Sequence, residues 1–246
     1  MRIPRIYTPQ ALPQSLTQPF ALALDDAAAN HVGRVLRMGE GRPLVVFNGE
    51  QAGHFDAVIT EVTKKTVRVA LQRFNPSQNE SPLALHLGQA ISKGDRMDFT
   101  IQKSVELGVS VITPLWTERC DVKLNGDRLA KKQEHWQQVA ISACEQSGRD
   151  LVPVVRDAMK LSDWLAEVQA DVRWVLDPRG KAGSQAPHNV QTASLLVGPE
   201  GGLSDDEIQQ AVQQDFEAKL IGPRVLRTET AALTAITLLQ HQWGDF

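Results

Sequence analysis

The chain has 246 residues, 42% of them hydrophobic and 22% charged, with a net charge of −3 at pH 7. That is the composition of an ordinary soluble protein of one large or two smaller domains, and the acidic balance argues against a protein that coats nucleic acid along its whole surface. Nothing approaches the ~18 consecutive apolar residues of a membrane span, and the opening MRIPRIYTPQ lacks the apolar core of a secretory signal, so a cytoplasmic protein with Cys120 and Cys144 as free thiols is expected.

Residues 1–74 read as mostly β. They hold nine Lys/Arg against six Asp/Glu, a net of +3 that leaves −6 for the remainder. DDAAANHVGRVLRM (residues 25–38) predicts a helix with Val32, Val35 and Leu36 on one face and Arg34 and Arg37 on another part. RPLVVFNG then predicts a strand ending in the hairpin signal Asn48-Gly49, and GHFDAVITEV and KKTVRVALQRF alternate as strands. Short strands with tight turns in so few residues suggest a small barrel. Arg2, Arg5, Arg34 and Arg37 could grip phosphates or form a solvated face.

Polar, turn-rich residues 75–82 predict a linker, which divides the chain into domains 1–74 and 83–246. Beyond it β and α patterns alternate. Leu83–Ile91 is a strand, Lys93–Val109 a helix with Met97, Ile101 and Val105 inward, and Val109–Trp116 a strand. Asp127–Arg149 is a long helix, Ser162 caps a short one, and Arg173–Gly180 is a strand followed by a Gly/Ser/Ala/Pro loop to about residue 192. Ser194–Val197 is a strand ended by Gly198-Pro199, and Ser204 with Glu207 forms a capping box for the next helix. LIGPRVLRTETAALTAI repeats the junction: Gly222-Pro223 ends a strand and a helix opens near Thr228. Such alternation predicts a mostly parallel sheet with helices on both faces.

Two glycine-bearing loops at strand ends suit a ligand crevice; the alternative is that Gly and Pro only turn strand into helix. Neither loop is G-x-G-x-x-G or a P-loop, and no H-E-x-x-H, Cys/His cluster or G-x-S-x-G occurs. Metal binding is therefore not expected, and Cys144 reads as an apolar filler within its helix. Three charged clusters (Lys93/Asp95/Arg96, Glu118-Arg119 and Glu145/Arg149) follow sheet elements and could share the crevice's edge or form surface ion pairs.

GPEGGLS followed by IGPRVLRTETAALTAI resembles the cofactor-binding region of the SPOUT (SpoU–TrmD) methyltransferases, and more narrowly the RsmE group. The resemblance extends to HVGRVLRMGEG, the segment Ser92–Lys123 and ACEQSGR, and so covers most of the chain. It implies a C-terminal α/β trefoil-knot methyltransferase domain, an N-terminal PUA-like β-barrel, a homodimer, and S-adenosylmethionine as cofactor. The implied reaction is methylation of N3 of one uridine, uridine 1498, in 16S rRNA of the small ribosomal subunit. The segment Leu226–Thr230 departs from the Asn-rich motif of ribose-methylating relatives, which favours a base. Another RNA base, a ribose hydroxyl, or a non-catalytic assembly role remain the alternatives. The resemblance implies that Leu196, Gly198, Glu200, Gly201, Ile221, Gly222, Leu226, Thr228, Thr230 and Ala231 surround the cofactor. Arg227 and Glu229 are the candidate catalytic pair: the first to stabilise charge on the uracil carbonyls, the second to accept a proton. An Arg–Glu pair that only holds the loop is the alternative. Arg5, Arg34, Arg37, Arg96, Arg119 and Arg149 are candidate RNA phosphate contacts.

Overall fold

The computed structural model describes residues 3–122, 125–181 and 188–246. Arg2 and most of the loop before residue 192 lie outside the described residues. In chain order the elements are β1 (Arg5–Tyr7), β2 (Phe20–Ala23), α1 (Asp26–Asn30), a π-helical turn (His31–Val35), β3 (Pro43–Phe47), β4 (Gly53–Val62), β5 (Val67–Pro76) and β6 (Ala84–Ala90). They continue with α2 (Asp95–Glu106), β7 (Val111–Trp116), α3 (Gly126–Ser147), β8 (Val154–Val155), β9 (Met159–Lys160) and α4 (Leu161–Glu167). The last are β10 (Val172–Lys181), β11 (Thr192–Val197), α5 (Asp205–Gln213), β12 (Glu217–Lys219) and α6 (Thr228–Trp243).

The chain forms two compact units, Met1–Glu80 with Ile141–Val152, and Ser81–Ala140 with Pro153–Phe246. In the first, β1-β3-β4-β5-β2 make one sheet, antiparallel except for the β1–β3 pair. Alternate residues of all five strands, from Ile6 and Leu22 to Phe55 and Leu71, meet α1 in one core; period-2 patterning puts them on a single face. Asp25 caps α1 by accepting from the Ala27 and Ala28 amides. The helix expected over 25–38 is shorter than its pattern suggests: it passes into the π-helical turn at His31 and ends before Arg37, whose φ is +51°. At the β3–β4 turn Asn48 Oδ1 accepts from the Glu50 and Gln51 amides, an Asx turn of the kind its sequence favours.

The second unit holds a sheet in the order β12-β10-β11-β6-β7-β8, with β9 also on β7, and every pairing is parallel. A parallel sheet needs both faces covered. On one face α4 and α5 bury Leu161, Trp164, Leu165, Ile208 and Ala211 with Phe216 against Leu115, Val175 and Leu196; α2 packs on α6, and α6 on β11. α4 begins at Leu161 rather than after Ser162, whose hydroxyl bonds Asp163 and does not cap. Gly88 on β6 is a close-approach position: a Cβ there would stand 2.7 Å from the Trp164 ring. That ring lies edge-on to His86 and donates its indole N–H to His86 Nε2 at 3.2 Å. Burial, and secondarily Arg156, hold the His86 pKa down at about 4.

Candidate cofactor site

Loops after β11 and β12, with Leu176–Arg179 of β10 between them in the sheet order, lie at the carboxyl ends of parallel strands, where open α/β sheets place their ligands. Together they enclose a cavity of about 960 Å³. Its lining includes Gly198–Leu203, Asp205, Leu220–Glu229 and Ala231, with Asp177, Arg179, Lys219, Arg96 and Arg119 around them. This volume suits a ligand of nucleoside size or larger.

The first loop turns tightly, with the Gly202 amide donating to Pro199 O at 2.9 Å. Gly198 has no room for a side chain, since a Cβ would lie 3.0 Å from both the Cγ and the backbone nitrogen of Leu203. Several polar neighbours fix this loop. Glu200 Oε1 accepts from the Lys93 amide at 3.0 Å and from Arg96 at 2.8 Å. Burial pushes the Glu200 carboxyl up, but its own amide, the Lys93 amide and Arg96 outweigh that and leave it below the usual glutamate range. Arg119 donates to the carbonyls of Gly201 and Leu203 at 3.1 and 3.3 Å. The capping box forms as its spacing requires: Ser204 Oγ accepts from the Glu207 amide, and Glu207 Oε2 from the Ser204 amide. Glu207 Oε1 also accepts from the Glu118 amide at 2.7 Å, tying the loop after β7 to α5.

The second loop delivers α6. Arg227 is its N-cap, whose side chain makes no capping hydrogen bond, and Thr228, Glu229 and Ala231 of the first turn line the cavity. Thr228 is buried, and its hydroxyl donates to Gly198 O at 2.7 Å. Glu229 lines the cavity with its Oε2 buried and without a hydrogen-bond partner among the described residues. A buried carboxylate oxygen left without a donor calls for an explanation in a native fold.

Ten of the residues named above line the cavity: Gly198, Glu200, Gly201, Ile221, Gly222, Leu226, Arg227, Thr228, Glu229 and Ala231. Leu196 is wholly buried in the core, paired with Gly88 across the sheet, and Thr230 is exposed on the first turn of α6; neither lines it. Of the six arginines, Arg96 and Arg119 border the cavity and are engaged with the loop. Arg34 and Arg37 are exposed in the first unit, Arg34 beside Lys64 and Lys65 in a groove of about 870 Å³. Arg5 and Arg149 are spent internally in the same unit. Arg5 pairs with Asp150 at 2.6 Å over the Phe47 ring, and Arg149, 6% exposed, pairs with Glu80 at 2.8 Å. The Glu145/Arg149 cluster therefore belongs to the first compact unit and does not line the cavity. Burial pushes the Cys144 thiol up to about 12, consistent with a filler. Sequence reasoning missed Asp177, Arg179, Lys219 and Gln89; only Gln89, a polar residue in an apolar strand, carried a local signal.

Among the described residues no group of His, Cys, Asp and Glu could hold a metal ion, and no helix is long and apolar enough to cross a membrane. A parallel sheet with glycine loops at its carboxyl ends, in a chain that also carries a small, mostly antiparallel β unit, defines a class with known relatives. Residues 79–240 match the RNA methyltransferase domain family and residues 24–72 the RNA methyltransferase PUA domain family. The second unit thus has an α/β fold and falls in the RNA methyltransferase domain family. The chain is 36% identical to ribosomal RNA small subunit methyltransferase E of Buchnera aphidicola (subsp. Schizaphis graminum), over 99% of this chain and 98% of that one. The crystal structure of the Neisseria gonorrhoeae ribosomal RNA small subunit methyltransferase E bound to S-adenosyl methionine superposes with a TM-score of 0.91 at 39% identity. A Legionella pneumophila structure in complex with SAM gives 0.94 at 43%; both superpositions cover 100% of each chain. The chain belongs to the ribosomal RNA small subunit methyltransferase E family.

Proposed function

We propose that this chain binds S-adenosylmethionine in the cavity and methylates N3 of one uridine, uridine 1498, in 16S rRNA of the small ribosomal subunit. The observation that carries the reading is the junction of two loops. One is a glycine turn stripped of side chains where a flat ligand would lie. The other is a helix start that presents Arg227 and Glu229 to the same space. The cofactors named in the two related crystal structures support the choice of ligand.

Ala231 and the backbone of Gly198, Gly201, Ile221, Gly222, Leu226 and Thr228 would hold the cofactor, Glu200 stiffening the loop. When bound, that group supplies an electrophilic methyl, so the protein's task is to orient the uracil and remove its N3 proton. Glu229 Oε2 is an acceptor with no competing donor among the described residues, fit to take that proton directly or through water. Arg227, exposed at the rim, would oppose the charge that develops on the uracil carbonyls. With residues 75–82 as linker, RNA would be engaged by the knotted methyltransferase domain, residues 83–246, as well as by an N-terminal PUA-like domain, residues 1–74. The groove with Arg34, Lys64 and Lys65 supports phosphate contact there. The return of the chain from edge strand β12 through 220–227 to α6 on β11 supports a knotted path. Exposed Phe99 on α2 and Leu238 on α6 support a homodimer.

Calorimetry with S-adenosylmethionine, followed by single-turnover transfer to unmodified small subunits, tests the reading. Glu229→Gln should slow transfer about 100-fold or more while leaving cofactor affinity unchanged. An unaltered rate would remove Glu229 as the base, and absence of cofactor binding by the wild type would remove the enzyme reading.

A further inference from the structure

Gln89 lies near the carboxyl end of β6 and is completely buried. Its side-chain nitrogen donates to Ala90 O at 3.1 Å and to Thr228 Oγ1 at 3.0 Å. A carbonyl can only accept, so Ala90 fixes which end of the amide faces Thr228. Thr228 Oγ1, accepting from Gln89, turns its own hydrogen to Gly198 O at 2.7 Å. The result is a one-way chain of hydrogen bonds from β6, through the first residue of α6, to the first residue of the glycine loop. Because no side chain caps α6, the Thr228 hydroxyl anchors the start of this helix to Gly198.

The arrangement has a cost. Gln89 Oε1 is buried with no hydrogen-bond partner among the described residues. An unpartnered buried amide oxygen destabilises a fold, and an apolar side chain of the same length would avoid the penalty. Local rules broken at a loss to stability mark positions held for function.

We infer that Gln89 and Thr228 are positioning residues for methyl transfer: their relay holds Arg227 and Glu229 in register with the loop that carries the cofactor. Neither needs to touch the reacting atoms. The inference rests on the function proposed above. An error of ~1 Å in such a register costs on the order of 100-fold in rate.

The test uses the full chain as Gln89→Met, Thr228→Val, the double variant and Thr228→Ser. It reads three quantities: the melting temperature without ligand, S-adenosylmethionine affinity, and single-turnover transfer at saturating cofactor. Gln89→Met should melt no lower than wild type yet transfer 10- to 100-fold more slowly, roughly, with cofactor affinity within about threefold. Thr228→Val should be slowed alike, and Thr228→Ser, which keeps the hydroxyl, should recover the rate. Both residues act in series, so the double variant should be no slower than the slower single. Losses that multiply in the double variant, or a Gln89→Met protein that is less stable but fully active, would overturn the relay. Wild-type protein that binds cofactor but transfers nothing refutes the functional reading instead, since there the variants have no rate to lose.

Discussion

Gly198→Ala is the sharpest probe of the glycine loop. The added Cβ would meet Leu203 Cγ and Leu203 N at 3.0 Å and the Gly202 carbonyl carbon at 3.2 Å, all inside ordinary van der Waals contact. Two of these three atoms are backbone, so no rotamer change relieves them. The loop is also pinned by Arg119 at Gly201 O and Leu203 O and by the capping box at Ser204. Overpacking of this sort costs about 1–3 kcal/mol. In a loop that must close on a ligand, most of that is expected in binding: about 2 kcal/mol, or roughly 30-fold in Kd for S-adenosylmethionine. Gly201→Ala provides the contrast. Its Cβ would make one tight contact, Arg119 Cβ at 3.2 Å, where Gly198→Ala makes three, so a smaller, few-fold loss is expected. Calorimetric titration of both variants against wild type decides the matter. Unchanged affinity in Gly198→Ala, or a larger loss in Gly201→Ala, would refute the argument that close backbone approach shapes this site.

Two further outcomes follow from the geometry. His86 is folded as the neutral imidazole, with a pKa of about 4 against an ordinary 6.5. Its contribution is complete above pH 6.5 and is lost as pH falls towards 4, about 3 kcal/mol in all. Urea midpoints should therefore drop more steeply between pH 6.5 and 4 in wild type than in His86→Gln, and parallel curves would contradict it. Arg119→Ala frees the carbonyls of Gly201 and Leu203 and should weaken cofactor binding by about 1 kcal/mol, roughly fivefold, with no change in Kd counting against a loop-holding role.

Much of the site was legible because its signals are local. A strand ended by Gly198-Pro199, a capping box at Ser204 and Glu207, and a second strand-to-helix turn at Gly222-Pro223 are each written in a few consecutive residues. What escaped is what the chain brings together over long separations. The relay joins Gln89 to Thr228, and Arg5 meets an aspartate at position 150, so neither pairing has a periodicity to read. The same holds for residues 141–152: their helix pattern is continuous with α3, yet they cluster with the N-terminal unit through Glu80, Arg5 and Tyr7. Arginine is ambiguous by composition alone. Arg149 looks like Arg34 in sequence, and only its pairing with Glu80 shows that its charge is already used. The short strands β1 and β2 lacked the alternating length that marks a strand, and they form because longer neighbours offer an edge.

The most direct measurement of the central claim is the identity of the methylated nucleoside. Purified protein, labelled S-adenosylmethionine and small subunits from cells lacking this enzyme would be incubated, and the rRNA digested and resolved. Label confined to 3-methyluridine at a single position is the expected result, and its mapping to uridine 1498 would complete the assignment. Label on a ribose or on another base would contradict it.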